Sequence, residues 1–191
     1  MPPLKNIKLN LLRKDILKKR AYILLKHLHT TKWTTICALL SLAAQNGWKI
    51  HQMDVKTAFL NGDLKEAVYM TQPEGYVSNG KEHQVCKLNK SLYGLKQAPW
   101  AWYEKLTEHL LKLDFQHFEF DDATLFVKKI DNIIIYLVVY VDDLFITGSD
   151  ENTIQDVKQQ LKQGIDMTDL GHLHYYLGIE MIQKPYSIFI T

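Results

Sequence analysis

Cysteine and long hydrophobic runs are both scarce in this chain. Cys37 and Cys86 are its two cysteines and stand in no CxxC pair, which argues against a disulfide framework and a cysteine zinc site. The longest apolar run, Ile133 to Val141, has nine residues, whereas a membrane span needs about 20. We therefore expect an intracellular protein in a reducing setting, with no membrane partner.

Arginine is equally scarce. Arg13 and Arg20 are the two arginines, so the sequence after residue 20 has no planar guanidinium with which to clamp a phosphate. The first 30 residues carry eight Lys or Arg against the single Asp15, and the rest of the chain carries fifteen lysines and twenty acids. Because affinity for nucleic acid grows with the number of phosphates that basic side chains neutralise, any tight binding of nucleic acid would depend on this basic opening or on a separate partner.

The chain does have enough hydrophobic sequence for a core, because 47% of its 191 residues are hydrophobic and 23% are charged. A domain of this length buries roughly 70% of its unfolded surface. Periodicity, turn residues and capping residues predict the elements in order. They are a helix over 33–44 that ends at Asn46-Gly47, a strand over 48–59, a helix over 99–113, three antiparallel strands over 123–148, a helix over 151–163 capped by Ser149 or Asp150, and a strand over 173–183. This order predicts an α+β fold with helices on one face of an antiparallel sheet.

The run "YLVVYVDDLF", residues 136–145, leads a strand of the buried type into two adjacent carboxylates, Asp142 and Asp143. Like charges a few ångströms apart repel unless a cation neutralises them, and Mg²⁺ takes carboxylate oxygens and accepts phosphate ligands. Asp54 interrupts an otherwise apolar strand and is a candidate third ligand, and such a triad suits two-metal nucleotidyl transfer. Asp-Asp is also common in ordinary turns, so the residues alone leave both interpretations open.

Other polar or aromatic positions have ordinary explanations as well. Phe59 suits a core aromatic, and Gln97 suits a polar loop residue shortly before Pro99. His172 and His174 alternate as on one strand face. We expect a solvated edge there, because no cysteine or acid completes a zinc set.

Four segments closely resemble the reverse transcriptase of copia-type LTR retrotransposons. They occur in the family's order, from about residue 32 to residue 190. Four long motifs in the same order make the resemblance to this family highly specific. The segments are "HQMDVKTAFLNGDLKEAVYMTQPEGY", "CKLNKSLYGLKQAPWAWYEKL", "YLVVYVDDLFITG" and "DLGHLHYYLGIE".

The resemblance implies a polymerase palm, a ferredoxin-like antiparallel sheet with helices on one face, plus partial fingers, over residues 32–191. It implies RNA-directed DNA synthesis on an RNA or DNA template with a primer, from deoxynucleoside triphosphates, with Mg²⁺ as cofactor and Mn²⁺ as an alternative. The matching metal-binding positions are Asp54, Val55, Asp142 and Asp143, of which the three acids are catalytic. The other matching positions are Phe59 as the gate against a ribose 2′-hydroxyl, Gln97 and Lys96 beside the nucleotide, and Tyr140 and Val141 beside primer and template.

The sequence departs from the family in several places. Residues 1–31 form a basic extension that does not match it, and Trp100 and Cys37 stand where the family usually has arginine. We expect a truncated copy that lacks the thumb, with thumb and ribonuclease H regions belonging to a longer polyprotein. The family works in cytoplasmic virus-like particles and delivers DNA to the nucleus, which implies one of those locations.

Two alternative functions stay open. A catalytically inactive retroelement remnant would keep the acids without polymerising. A nucleic-acid-binding module would combine the basic opening with exposed aromatics such as Trp100 and Trp102, on which bases stack. Primer extension distinguishes an enzyme from both, and salt-dependent binding that requires residues 1–30 would identify the module.

Overall fold

The computed structural model describes residues 31–118, 123–176 and 178–191. The basic extension expected over residues 1–31, with Arg13 and Arg20, lies outside these ranges except for Thr31. The helices are α1 (Trp33–Asn46), α2 (Ala98–Lys112) and α3 (Glu151–Gly164), with a 3-10 helix at Ala58–Asn61. The strands are β1 (Ile50–Val55), β2 (Tyr69–Thr71), β3 (Val85–Lys87), β4 (Gln116–His117), β5 (Leu125–Ile130), β6 (Ile133–Tyr140), β7 (Asp143–Gly148), β8 (Met167–His172), β9 (Tyr175–Tyr176), β10 (Ile179–Lys184) and β11 (Ser187–Ile190).

A six-stranded sheet with the order β4-β5-β6-β7-β1-β8 forms the centre of the fold, and all its pairings are antiparallel. A three-stranded sheet, β11-β10-β9, and a two-stranded sheet, β2-β3, accompany it. The predicted α+β class is thus confirmed. In the part of the chain that is described, no helix has the length and apolar character that crossing a bilayer requires.

Different helices cover the two faces of the main sheet. Side chains alternate along β6, so Leu137 and Val139 join the core beneath α2 and α3, whereas Val138 and Tyr140 lie on the other face with α1. We call these the α2/α3 face and the α1 face. The prediction that all helices share one face is therefore right for α2 and α3 and wrong for α1. The buried stripe of α1 packs on the second face and consists of Ile36, Leu40 and Ala43.

The predicted helix ends agree with the local chemistry of the chain. Gly47 follows α1 with φ of 69°, a left-handed conformation that glycine adopts without a steric penalty, and its N–H contacts the last carbonyls of the helix. Asp150 precedes α3, and its carboxylate accepts a hydrogen bond from the Thr153 N–H at 2.7 Å. This is the N-cap arrangement that the sequence predicts.

The single strand expected over 173–183 is wrong. The chain instead forms the short β9 and the longer β10, which pair as a hairpin through Tyr176 and Ile179. Gly178 lies between them with φ of 85°, a conformation that lets the chain reverse. Strand-forming residues on both sides of Gly178 therefore predicted one strand where the chain forms two strands and a turn.

Gln183, on β10, joins the small sheet to the main sheet. Its Oε1 accepts from the Ile50 N–H at 2.9 Å, and its Nε2 donates to the Ile50 carbonyl at 3.0 Å and to the Leu173 carbonyl at 2.9 Å. Ile50 and Leu173 are only 3% and 4% exposed. The side-chain amide therefore satisfies buried backbone groups where water has little access.

Replacing Gln183 with methionine keeps most of the side-chain length and removes all three hydrogen bonds. We expect the free energy of unfolding to fall by about 1–3 kcal/mol, because buried backbone groups lose their partners. Urea unfolding measures this change. Gln159→Met, at an exposed position of α3, is the matched control and should cost less than about 0.5 kcal/mol. Equal midpoints for the two variants would contradict the role of Gln183.

Candidate functional site

Antiparallel pairing of β1 with β7 brings two of the predicted acids together. Asp54 lies directly opposite Asp143 in this pairing. Asp142 is the second residue of the two-residue turn between β6 and β7, and Asp143 follows it as the first residue of β7. The Val55 N–H donates to the Asp142 carbonyl at 2.7 Å, which fastens the turn to β1. Residues nearly 90 positions apart in the sequence therefore share one end of the main sheet, and all three acids are partly exposed.

Tyr93, which the sequence analysis did not identify, reports on the charge of this site. Burial, which is the largest cause, and the negative charges of Asp142 and Asp54 together raise the pKa of its phenol to about 12. One hydroxyl group thus experiences both carboxylates, although they come from different strands. Tyr93 stays protonated at neutral pH and adds no negative charge beside the acids.

Gln52 is a second residue that the sequence analysis missed. Its Nε2 donates to Oδ1 of Asp143 at 3.0 Å, and the Gln52 residue is only 9% exposed. Gln52 and Asp54 are two positions apart on β1, so their side chains point to the same face. The two-residue spacing between Gln52 and Asp54 was the sequence signal that could have identified Gln52. The hydrogen bond fixes the orientation of the Asp143 carboxylate from the side of β1.

The donor set at this end of the sheet fits a hard divalent cation. Asp54, Asp142 and Asp143 supply carboxylate oxygens, the ligands that such cations prefer. Val55 can contribute only its backbone carbonyl, because its side chain is apolar and the residue is 2% exposed. A cation would also offset the repulsion among three neighbouring carboxylates.

The predicted nucleotide-binding positions lie in three different surroundings. Phe59 is 2% exposed, and its ring packs against that of Tyr93 with centroids 4.5 Å apart. Gln97 lies at the start of α2 and lines a cleft of about 470 Å³ together with Trp100, and none of the three acids is among the residues that line this cleft. Lys96 is exposed beside Gln97. The structure thus places Phe59 against Tyr93, Gln97 in the wall of the cleft, and Lys96 on the surface next to Gln97 in the chain.

The predicted primer-side residues belong to the turn and the strand that leads into it. Tyr140 pairs with Asp143 across β6 and β7, and its ring meets the ring of Tyr176 edge-on at a centroid distance of 5.7 Å. Val141 has φ of 57°, and its carbonyl accepts a hydrogen bond from the indole Nε1 of Trp102 at 2.6 Å. The acidic turn is therefore held by groups outside its own hairpin.

The expectation that Trp100 and Trp102 are both exposed stacking surfaces is half right. Trp100 is 49% exposed, whereas Trp102 is 2% exposed. Trp102 belongs to the buried stripe of α2 and packs in the core of the α2/α3 face. Two tryptophans separated by two positions on a helix point about 200° apart, which explains why one of them is buried.

A chain of polar groups with two buried members, Lys158 and His51, crosses beneath α3, at the opposite end of β1 from Asp54. Nζ of Lys158 lies 2.6 Å from the Asp169 carboxylate and 3.3 Å from Nδ1 of His51. Nε2 of His51 lies 3.1 Å from the Glu151 carboxylate. Lys158 and His51 are each 2% exposed, so both depend on these partners for their hydrogen bonds.

His51, Glu151 and His172 each offer an atom that could bind a metal, and these atoms lie within 4.8 Å of one another. The expected solvated position of His172 and His174 is confirmed, since both are exposed, but the expectation that no acid completes a metal-binding set overlooked Glu151. Lys158 nevertheless opposes a metal there, because an ammonium can only donate. Nδ1 of His51 must then accept, and Nε2 carries the proton toward Glu151. We interpret the group as a hydrogen-bonded chain that ties β1 to α3.

Comparisons with known proteins agree with the resemblance found in the sequence. Residues 29–191 match the family model described as Reverse transcriptase (RNA-dependent DNA polymerase). The chain is 45% identical over 156 residues to the Retrovirus-related Pol polyprotein from transposon TNT 1-94 of Nicotiana tabacum, which covers 82% of this chain and 12% of that protein. It is 42% identical over 160 residues to the Retrovirus-related Pol polyprotein from transposon RE1 of Arabidopsis thaliana, which covers 84% of this chain and 11% of that protein.

Similarity extends to yeast. The chain is 31% identical over 149 residues to the Transposon Ty1-BR Gag-Pol polyprotein of Saccharomyces cerevisiae, which covers 74% of this chain and 8% of that protein. The chain thus spans about a tenth of the length of each of these three relatives. No solved structure matches it.

Asparagine substitutions test whether the acids converge on Tyr93. Asp54→Asn and Asp142→Asn should each lower the pKa of Tyr93 from about 12 toward its ordinary value of 10.0, because each removes one negative charge. The pKa should stay above 10.0, since burial is the larger cause. NMR of ring-labelled tyrosine measures the titration, with Tyr93→Phe identifying the signal.

The control for this titration is Glu108→Gln, which removes a charge from the exposed side of α2. It should leave the pKa of Tyr93 unchanged. If both aspartate variants also left it unchanged, the acids would not face Tyr93 as described.

His51 makes the stability of the fold depend on pH. Burial lowers the pKa of its imidazole below the ordinary 6.5 and outweighs the opposing effect of Glu151. The unfolded chain therefore binds the proton at higher pH than the folded chain. Stability from this group is fully present above pH 6.5 and declines as the pH falls through the lowered folded pKa.

His51→Gln should flatten the decline in stability over that range, as measured by urea unfolding at a series of pH values. His109 also has a pKa lowered by burial, so part of the slope should persist. The matched control is His174→Gln, since His174 is exposed. A slope for His51→Gln equal to that of the unmodified chain would show that His51 is not buried in its neutral form.

Proposed function

We propose, because this chain belongs to the reverse transcriptase family of copia-type LTR retrotransposons, that residues 32–191 form the palm and partial fingers of an RNA-directed DNA polymerase. The observation that carries the proposal is the register of β1 and β7, in which Asp54 lies opposite Asp143 and beside the turn that bears Asp142. Two separate segments of the family's motif thus supply acids to one end of the sheet. Nucleotidyl transfer requires such a set.

In the proposed site, Asp54, Asp142 and Asp143, with the Val55 carbonyl, hold Mg²⁺, and Mn²⁺ is the alternative ion. The bound ions supply the lowered pKa of the attacking hydroxyl and the neutralisation of triphosphate charge. Gln52 orients Asp143 through its hydrogen bond of 3.0 Å. Tyr93 is protonated at neutral pH because its pKa is about 12, and it adds no further negative charge within the electrostatic reach of Asp142 and Asp54.

The remaining assignments follow the chain's position in the family motif. Phe59 is the gate position, and its packing against Tyr93 means that the two rings form one aromatic wall. Gln97 and Lys96 border the incoming nucleotide along the cleft that contains Gln97. Tyr140 and Val141 contact primer and template, since they flank the acids on the hairpin.

We further propose that the template with its primer and the deoxynucleoside triphosphates are the partners, within cytoplasmic particles or the nucleus. Residues 31–191 carry fifteen lysines against twenty acids, so little cationic surface is available there to neutralise phosphates. The thumb and ribonuclease H regions of a longer polyprotein would supply that contact. The basic segment 1–31 is a second source within this chain.

The second candidate is a folded remnant that no longer polymerises. The lack of arginine after Arg20 favours it, because a triphosphate is best held by planar, bidentate cations. Trp100 stands at one of the positions where the family usually has arginine. Removal of one oxyanion-hole donor lowers the kcat of an enzyme by about 10²–10³. Loss of a preorganised cationic contact to the triphosphate can lower the rate by a similar factor.

Primer extension by the purified chain on an RNA template separates the two candidates. With Mg²⁺ or Mn²⁺, we expect slow addition of deoxynucleotides that falls to background in Asp142→Asn/Asp143→Asn, because the substitution removes the ligands of the ions. The matched control is Asp131→Asn/Asp156→Asn, two exposed acids away from the site. We expect the control variant and the unmodified chain to extend the primer at similar rates. No extension from a chain shown by circular dichroism to be folded would instead identify the remnant.

A further inference from the structure

The turn that carries the acids adopts a backbone conformation that its residues do not favour. Tyr140 pairs with Asp143, so Val141 and Asp142 are the two central residues of the hairpin. Val141 has φ of 57°, and Asp142 is not among the residues with positive φ. This is the pattern of a type II′ turn, in which glycine normally occupies the first position. A β-branched residue there persists only when surrounding groups hold it.

Neighbouring elements supply hydrogen bonds that hold this turn at successive residues. The indole N–H of Trp102, on α2, donates to the Val141 carbonyl at 2.6 Å. The Val55 N–H, on β1, donates to the Asp142 carbonyl at 2.7 Å. Gln52, also on β1, donates to the carboxylate of Asp143 at 3.0 Å. The bond from Trp102 reaches the strained residue itself, and it comes from the helix layer rather than from the sheet.

Trp102 is well suited to fix a peptide group. The residue is 2% exposed, and a buried indole N–H, which can only donate, needs a hydrogen-bond acceptor within the protein. Val141 also packs against the core that contains Trp102. The ring is therefore held by packing, and the orientation of the Val141 carbonyl determines how the next two residues leave the turn.

We propose that Trp102 is a positioning residue for nucleotidyl transfer: its indole N–H holds the Val141 peptide in the left-handed conformation that presents Asp142 and Asp143 beside Asp54. This inference rests on the proposed function. A ring that only filled the core would serve equally well without its N–H. The N–H therefore separates a positioning role from a packing role.

The sharpest test replaces Trp102 with β-(3-benzothienyl)alanine by site-specific incorporation. Sulfur then takes the place of the N–H, while the shape of the bicyclic ring is retained. The same replacement at Trp48, a half-buried tryptophan near Tyr136 on the α1 face, is the matched control. Hydrogen exchange of the backbone amides of residues 141–144 is measured for both proteins and for the unmodified chain.

We expect the replacement at Trp102 to speed exchange at these amides by about 5- to 30-fold, the effect of losing one or two kcal/mol of local stabilisation. The control should leave them unchanged. In primer extension, kcat should fall by about 10- to 100-fold, because small displacements of catalytic groups are costly. The KM values for deoxynucleotide and primer should stay within about twofold, since these ligands keep their own contacts.

A coupling experiment gives a result that packing alone would not produce. Val141→Gly removes the side chain that makes positive φ unfavourable. In that background, the benzothienyl replacement at Trp102 should speed exchange by less than half the factor seen with valine present, since the turn no longer needs to be restrained. Equal factors in the two backgrounds would overturn the proposal.

Unchanged exchange at residues 141–144 after the replacement at Trp102 would overturn the proposal as well. So would faster exchange without a fall in kcat in a chain that extends primers. If the unmodified chain extends no primer, the proposed function fails, and the catalytic role of Trp102 fails with it. The exchange result then still decides separately whether the indole N–H holds the turn.

Discussion

The pairing of β1 with β7 is the interaction on which the rest of the site depends. Because Asp54 lies opposite Asp143, a slip of one residue in this register would turn Asp54 to the other face of the sheet, among the side chains beneath α2 and α3. Apolar neighbours prevent such a slip. Met53 and Leu144, which are paired and fully buried on the α2/α3 face, would have to leave the core.

The same pairing explains how three carboxylates can share a small volume. The strand ladder restrains Asp54 and Asp143, and the Val55 N–H restrains Asp142. The Trp102 indole restrains Val141, the residue before the paired acids. Restraint of this kind keeps ligands in place before a cation arrives, and it costs stability through repulsion and backbone strain. The core on both faces of the sheet provides the stability that offsets this cost.

Local signals in the sequence were sufficient for much of the fold. Helix boundaries at Gly47 and Asp150 depend on capping by neighbouring residues, and the hairpin of β6 and β7 depends on two apolar runs around a polar turn. The α+β class and the three helices followed from these signals. Asp54, which lies far from the hairpin in sequence, was a candidate because it interrupts an apolar strand, and the family motif supported its assignment.

Features that depend on contacts between distant segments could not be predicted in this way. The periodicity of α1 shows that it has a buried stripe, but not which face of the sheet receives it. Trp102 and Trp100 are the same residue type, and their different positions around α2 determine which one is buried and which one is exposed. Tyr93 and Lys158 acquire their roles from groups on other elements, for which neighbouring residues in the sequence give no signal.

The central claim is that Asp54, Asp142 and Asp143 form one binding site for divalent cations. Titration with Mn²⁺, followed by electron paramagnetic resonance of the free ion, tests it without any requirement for polymerase activity. We expect bound Mn²⁺ in the unmodified chain and in Asp156→Asn, and strongly reduced binding in both Asp54→Asn and Asp142→Asn. Equal binding in all four proteins, or reduced binding in only one of the two site variants, would contradict a shared site.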